Sequence, residues 1–379
     1  MKLKFLLILL LIPELAFSFY VFRPCCCLDC NRVGIPRWWG SADYMLLFRK
    51  KRFYPPLVTT STPPALPVLS DPATTILFGD EYLGEKRKSG GRFDLGFWAN
   101  PCFGLGGGLF ILEKEKIKFH IDGSDAGLPV IGRPFFNTDT NTNDAELVSF
   151  PGIADNGSLN LRTTNDVAGF DVYARYRLLR FPRLKFDLLG GFTGIRLNDD
   201  LKIDTVTNPV GGLIFTQVVT DKFTCKNDFY GGLLGMYSEW RSKNFALTVT
   251  GKVGIGSMCQ KVKITGSTVF TDDAGDTQTF GSGLLAQPSN IGEHRHNRLN
   301  IVPQISANAQ LRIIGCLWAT VGYTYTYWHS VALAGEQVDL NINPTQIPGP
   351  LSGSPTPVFQ HRDTNYWIQG LTAGIYMSF

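Results

Sequence analysis

The sequence predicts an all-β chain, a closed antiparallel transmembrane β-barrel of about ten strands, with ten to twelve as the range, short periplasmic turns and five long outer loops. Three observations predict it. Apolar residues recur with period two in ten separate segments. No amphipathic helical pattern of comparable length competes with them. The connections between the segments alternate short and long without exception. Composition agrees: charged residues are only 18% of the chain and aromatics 12%. Past the first two dozen residues, no apolar run approaches the ~20 residues that a membrane helix needs. A net charge of +4 without a basic and aromatic constellation argues against nucleic acid as a partner.

Residues 1–18 read as a signal peptide. Lys2 and Lys4 precede an apolar run from Phe5 to Ile12, then Pro13, and Ala16-Phe17-Ser18 places small residues where signal peptidase reads. Pro13 and Glu14 weigh against a permanent helical anchor. Residues 19–37 form a Cys-rich periplasmic segment with Cys25, Cys26, Cys27 and Cys30 in CCCLDC. No second Cys pair or His-x3-His completes a zinc site, so no metal or cofactor is expected. In an oxidising compartment these four are candidates for cross-linking to other envelope proteins.

The barrel is expected over 38–379, with strands at roughly 38–48, 90–99, 103–112, 167–178, 184–195, 226–240, 244–257, 299–313, 316–329 and 365–379. In LNIVPQISANAQLRII, for example, Leu299, Ile301, Ile305, Ala307, Ala309, Leu311 and Ile313 share one face. Asn100-Pro101-Cys102, LRFPR, RSK and Ile314-Gly315 supply the short turns. The stretches EKEKIKFHID and LIFTQVVT inside long connections also alternate, so strands could extend beyond the membrane. Backbone groups in lipid cannot stay unpaired, which forces the sheet to close. The ending LTAGIYMSF, with Phe379 last, has the form of the signal read by outer-membrane barrel-assembly machinery. The implied location is the bacterial outer membrane, in contact with its lipid.

Longer motifs carry a resemblance: WWGSADYMLLF, PPLVTTS, ILFGDEYLGEKRKSGGRFDLGFWANPC, GRPFFNTDTNTNDAELVSFPG, FDVYARYRL with FDLLGGFTGIRLNDDL, and NDFYGGLLGMYSEWR. The chain resembles the seventh group of bacterial outer-membrane β-barrel porins. The resemblance covers most of the mature chain, least around 257–298 and 330–364, and carries no catalytic residues. It implies a narrow passive channel for small hydrophilic solutes. The alternative is a non-conducting structural or surface-exposed barrel, cross-linked to the envelope by disulfides.

With apolar faces outward, the lumen should receive Asp43, Arg92, Asp94, Asp171, Arg175, Arg177, Lys185, Asp187, Lys252 and Arg312. These residues could line a pore of slight basic excess or fill the barrel with ion pairs. Eight strands leave an interior filled by side chains, whereas open channels need about sixteen. Ten strands lie near the filled case. The basic clusters Arg49-Lys50-Lys51-Arg52 and Lys86-Arg87-Lys88 are expected in solvated loops or near anionic lipid heads.

A hydrolase is the third reading. Asp199-Asp200, His329-Ser330 and His361-Arg362-Asp363 lie near outer strand ends, and such groups could activate a water. Nothing in their spacing brings them together, so the expectation is no enzyme. Cys225 and Cys259 are nearly equidistant from the turn at 241–243 and form the candidate disulfide, unless the even residues of the sixth segment face lipid. Cys102 and Cys316 fall in periplasmic turns, on the CCCLDC side.

Overall fold

The computed structural model describes residues 37–84, 87–211, 214–347 and 349–378. Among these, ten long strands form one closed antiparallel ring: β1 (Trp38–Arg49), β2 (Lys88–Trp98), β3 (Phe103–Leu112), β4 (Ala154–Arg180), β5 (Leu184–Pro209), β6 (Ile214–Arg241), β7 (Phe245–Asp272), β8 (Gly292–Ile314), β9 (Leu317–Val331) and β10 (Thr364–Ser378). β1 pairs with β2 on one side and β10 on the other, Trp39 standing opposite Ser378, and this pairing closes the sheet. Each predicted segment overlaps one of these strands, to within a residue at the ends. Phe379, residues 1–36 and Lys86 are outside the described residues, so the signal peptide, Cys25, Cys26, Cys27, Cys30 and the terminal assembly signal are too.

Alternation sets the two faces. On β4 the even residues Phe170, Val172, Tyr176 and Leu178 are exposed. The odd residues Arg177, Arg175, Tyr173, Asp171, Val167, Asn165, Leu161 and Leu159 form an inward column running from the periplasmic to the outer end. Closure lets one odd column face a single lumen over the whole strand. The lipid boundary is marked by Phe170, Phe192 and Tyr230, with ring centroids 6.2 and 6.4 Å apart. The next outward row carries the Arg196–Asp228 ion pair at 2.5 Å, so the apolar face ends there.

The connections expected as loops around 113–166, 196–225 and 258–298 are partly strand. β4, β5, β6 and β7 run 26 to 28 residues, well beyond the ~10 residues that cross a bilayer. Their outer halves build a tall wall on one side of the barrel. The segment Glu115–Asp122 joins it by pairing with Ser158–Asn165 of β4. A second, five-stranded sheet comes from the outer connections: Val58–Thr60, Thr75–Phe78, Ile131–Asn137, Thr142–Ser149 and Asn341–Ile342. It leans on the inner face of the wall. Val58, Phe78, Ile131, Phe135 and Val148 share a core with Leu159, Leu201, Ile203, Phe223, Val262 and Ile264. The outer part of the lumen is therefore a folded hydrophobic core rather than a vestibule.

Candidate functional site

The lumen is the candidate site, and it is built in layers. At its periplasmic base Trp39, Trp98, Tyr173, Leu189, Leu233, Tyr237 and Tyr376 pack together. A Cβ on Gly96 would stand 2.0 Å from Trp39 Cζ2, so the indole lies across the barrel only because residue 96 has no side chain. Three of these rings hold the Arg175 guanidinium, 3.9 Å from the Tyr237 centroid, 5.3 Å from Trp39 and 5.4 Å from Trp98. Arg177 lies 4.1 Å from the Trp98 ring. Arg175 Nε donates to Asp187 at 2.7 Å, and Arg177 lies 3.5 Å from the same buried carboxylate. Lys185 pairs with Glu239 at 3.1 Å, and Arg241 pairs with it at 2.6 Å.

Above the aromatic layer is a polar cavity of about 150 Å³. Asp43, Arg92, Asp94, Asp171, Arg175 and Lys252 line it, as the sequence predicts for all six. Its charged groups already have hydrogen-bond partners. Asp94 accepts from Trp39 Nε1 at 3.0 Å and from the Tyr173 hydroxyl at 2.8 Å. Lys252 donates to Asp171 at 2.9 Å, Thr320 to Asp43 at 3.0 Å, and Arg92 to Thr324 at 2.9 Å. Room remains for a few waters.

The next layer is apolar. Met45, Leu47, Val167, Ile195, Phe229, Met258, Trp328 and Ile368 cluster with Val331, the last residue of β9, and with Leu333 of the segment that follows it. That segment turns into the lumen. Ala332 and Ala334 are fully buried, and Ala334 N donates to Asp199 at 2.8 Å. Beside it Arg52 pairs with both Asp199 and Glu115, all three side chains at most 2% exposed. Farther out, buried Arg133 bridges Asp221 and Glu146.

Some expectations are corrected. Arg312 is not in the lumen. The β8–β9 register shifts between Arg312 and Ile314, and Arg312 Nε turns to the Gly315 carbonyl at 2.8 Å in the exposed turn. Cys225 and Cys259 are both free thiols. Arg241 stands opposite Ala246, so Cys225 meets Val262 and Cys259 meets Asp228. Even residues of β6 face lipid, which turns Cys225 inward while Cys259 lies on the outward face of β7. In the basic cluster, Arg49 and Arg52 are neither solvated nor at lipid heads. Arg49 is buried against Asn165 at 2.9 Å, and Lys50 bonds Asn365 Oδ1 at 2.7 Å. Cys316 is exposed in its periplasmic turn and Cys102 is buried.

Of the groups considered for hydrolysis, neighbours on a strand point to opposite faces. Asp199 is inward with Arg52, while Asp200 accepts from Thr164 at 3.2 Å. His329 is exposed, whereas Ser330 turns inward and meets Asp363. His361 lies at the outer mouth, where Nε2 bonds Gln260 at 2.7 Å and the ring is 4.7 Å from His296. Burial, with His296 and Arg298 beside it, holds the His361 imidazole below its ordinary value, and Asp363 opposes them in part. The Asp pair and the His-Asp pair engage separate networks.

The sequence reading missed Glu239, Trp39, Tyr173, Arg52 and the plug around Ala332. Glu239 stands opposite Lys185 across β5 and β6, whose connection was expected as a long outer loop, so no short turn set this register in the sequence. No local signal marks the plug.

The fold is similar to that of the outer membrane protease OmpT from Escherichia coli, at 10% identity and a TM-score of 0.42, covering 93% of this chain and all of that one. It is more distantly similar to a Pseudomonas aeruginosa FadL homologue, at 10% identity and TM-score 0.28, covering 92% and 91%. The P. putida toluene transporter TodX follows at 8% identity and 0.18, covering 90% of each chain. No curated protein matches the sequence. One family model matches residues 39–379, the whole barrel. On that match the chain belongs to the family described as Putative beta barrel porin-7, and it is an outer-membrane β-barrel.

Proposed function

We propose that the protein is a non-catalytic outer-membrane barrel that displays a folded head on the cell surface and is closed to solutes by its own outer connections. The observation that carries this is the passage of Val331–Ala334 into the lumen, packed against side chains from β1, β4, β5, β6, β7 and β10. Beneath it the aromatic and cation layer fills the base, and between the two Lys252 pairs with Asp171 while Asp43, Arg92 and Asp94 bond Thr320, Thr324, Trp39 and Tyr173. Exposed Cys316, with the upstream Cys25, Cys26, Cys27 and Cys30, would tie the periplasmic edge to neighbouring envelope proteins. Barrel-assembly machinery and outer-membrane lipid are the other partners in this reading.

A narrow passive channel for small hydrophilic solutes is the second reading. The polar cavity at Asp43, Arg92 and Lys252 favours it, because it lies at membrane depth between the aromatic base and the plug, and a path would open once both moved. Liposome swelling with refolded protein separates the two. The closed reading predicts no swelling in small sugars or amino acids. Swelling that depends on solute size would instead support the channel.

A further inference from the structure

The outward face of the tall wall carries an arrangement of charge that folding does not explain. Lys118, Arg162, Lys202 and Lys222 stand directly opposite one another across four adjacent strands, all exposed. One carboxylate reaches this row, Asp204 at 2.8 Å from Lys202. A second row, Lys226, Lys261 and Arg295, runs directly across β6, β7 and β8. Glu293 bridges two of its members, at 2.6 Å from Lys261 and 2.7 Å from Arg295. Like charges directly opposite on antiparallel strands repel. Two such rows on one face point to an anion that lies outside the chain.

Height on the wall says where that anion comes from. Both rows continue the face that meets lipid lower down. Lys226 is four residues beyond Tyr230 of the aromatic boundary, or ~13 Å along the strand at ~3.3 Å per residue. Lys222 is eight residues beyond it, or ~26 Å. The lower row sits at the level of lipid headgroups, and the upper row at the level of a saccharide carried above them.

We propose that this wall binds a phosphate-bearing glycolipid of the outer leaflet. Its acyl chains lie on the apolar face below Tyr230. Its headgroup phosphates meet Lys226, Lys261 and Arg295, and the outer part of its polar region runs along Lys118, Arg162, Lys202 and Lys222. Glu293 and Asp204 leave both rows with an excess of positive charge. The inference does not depend on whether the lumen conducts.

Native mass spectrometry of the full-length protein, refolded in mild detergent, tests it with three probes: diphosphoryl lipid A, the same glycolipid without phosphates, and soluble tripolyphosphate. Retention of diphosphoryl lipid A is expected, more than tenfold above the dephosphorylated form. Each neutralised surface cation should weaken binding roughly fivefold. The triple variants R162Q/K202Q/K222Q and K226Q/K261Q/R295Q should therefore each lose more than tenfold, while heat-modifiable gel migration reports an intact barrel. Undiminished binding by either triple variant overturns the assignment. So does tripolyphosphate binding as tightly as the glycolipid, because the wall would then read free polyanions rather than lipid.

Discussion

Asn227, on the inner face of β6, grips the backbone of Ala332 with both ends of its amide: Nδ2 donates to the Ala332 carbonyl at 2.9 Å, and Oδ1 accepts from the Ala332 N–H at 2.7 Å. Both residues are buried, so the barrel wall supplies to the incoming segment the hydrogen bonds that water cannot. Asn227→Ala should leave two backbone groups without these partners, at about 1–3 kcal/mol each. Urea unfolding in liposomes should show a lower midpoint, and hydrogen exchange at 331–338 should rise more than in the periplasmic half of the barrel.

Arg52 holds Asp199 and Glu115 together inside the head. Arg52→Met removes the cation from a buried carboxylate and should destabilise the fold by about 3–5 kcal/mol. Adding Asp199→Leu removes one of the two carboxylates left without Arg52, Glu115 being the other, and should recover part of that loss. A double-mutant cycle on unfolding free energy checks the coupling. Strict additivity would mean that the pair does not act as a unit.

The outer mouth should be pH-sensitive. Phe359, His361 and Asp363 lie in turn against His294, His296 and Arg298 of β8, at 3.7 and 4.7 Å between ring centroids and 2.5 Å between charges. Gln260 and Ser330 face the same cluster. Because burial and its cationic neighbours depress His361, the docked loop holds that proton less well than the free loop does. Docking is therefore complete above the ordinary His value, about 6.5, and weakens as pH falls below it. Proteolysis within 350–363 should be faster at pH 5.5 than at 7.5, and His361→Gln should flatten the difference.

Thiol reactivity should follow burial. Cys316 should alkylate quickly in the folded protein and Cys225 only after unfolding, because burial, with Asp199 and Asp200 nearby, raises the Cys225 thiol and keeps it neutral. Peptide mapping without reductant should find no Cys225–Cys259 link.

Much of the barrel was legible because lipid imposes a local rule. Leu371, Ala373 and Ile375 had to face out, and the turns at 241–243 and 314–315 had to be tight. The inward charges followed by parity, as Asp171 and Lys252 show. β6 resisted, because Phe229 and Leu233 are as apolar as Tyr230 and Leu234, so its two faces look alike. Its true parity buries Glu239 and separates the cysteines. The plug was illegible for a different reason. Ala332 and Ala334 resemble any small apolar loop residues, and only contacts with Asn227 and Asp199, more than a hundred positions away, send them inward. Arg49 and Arg52 looked like surface charge because their carbonyl and carboxylate partners lie 63 to 147 positions along the chain.

Single-channel recording in planar bilayers tests closure most directly, using full-length protein beside a variant in which 331–338 is replaced by a Gly-Ser linker of equal length. The closed-barrel account predicts no discrete conductance from the intact protein, and none from the linker variant either, because the aromatic and cation layer still fills the base. Stable steps from the intact protein at neutral pH, unchanged by the replacement, would contradict it.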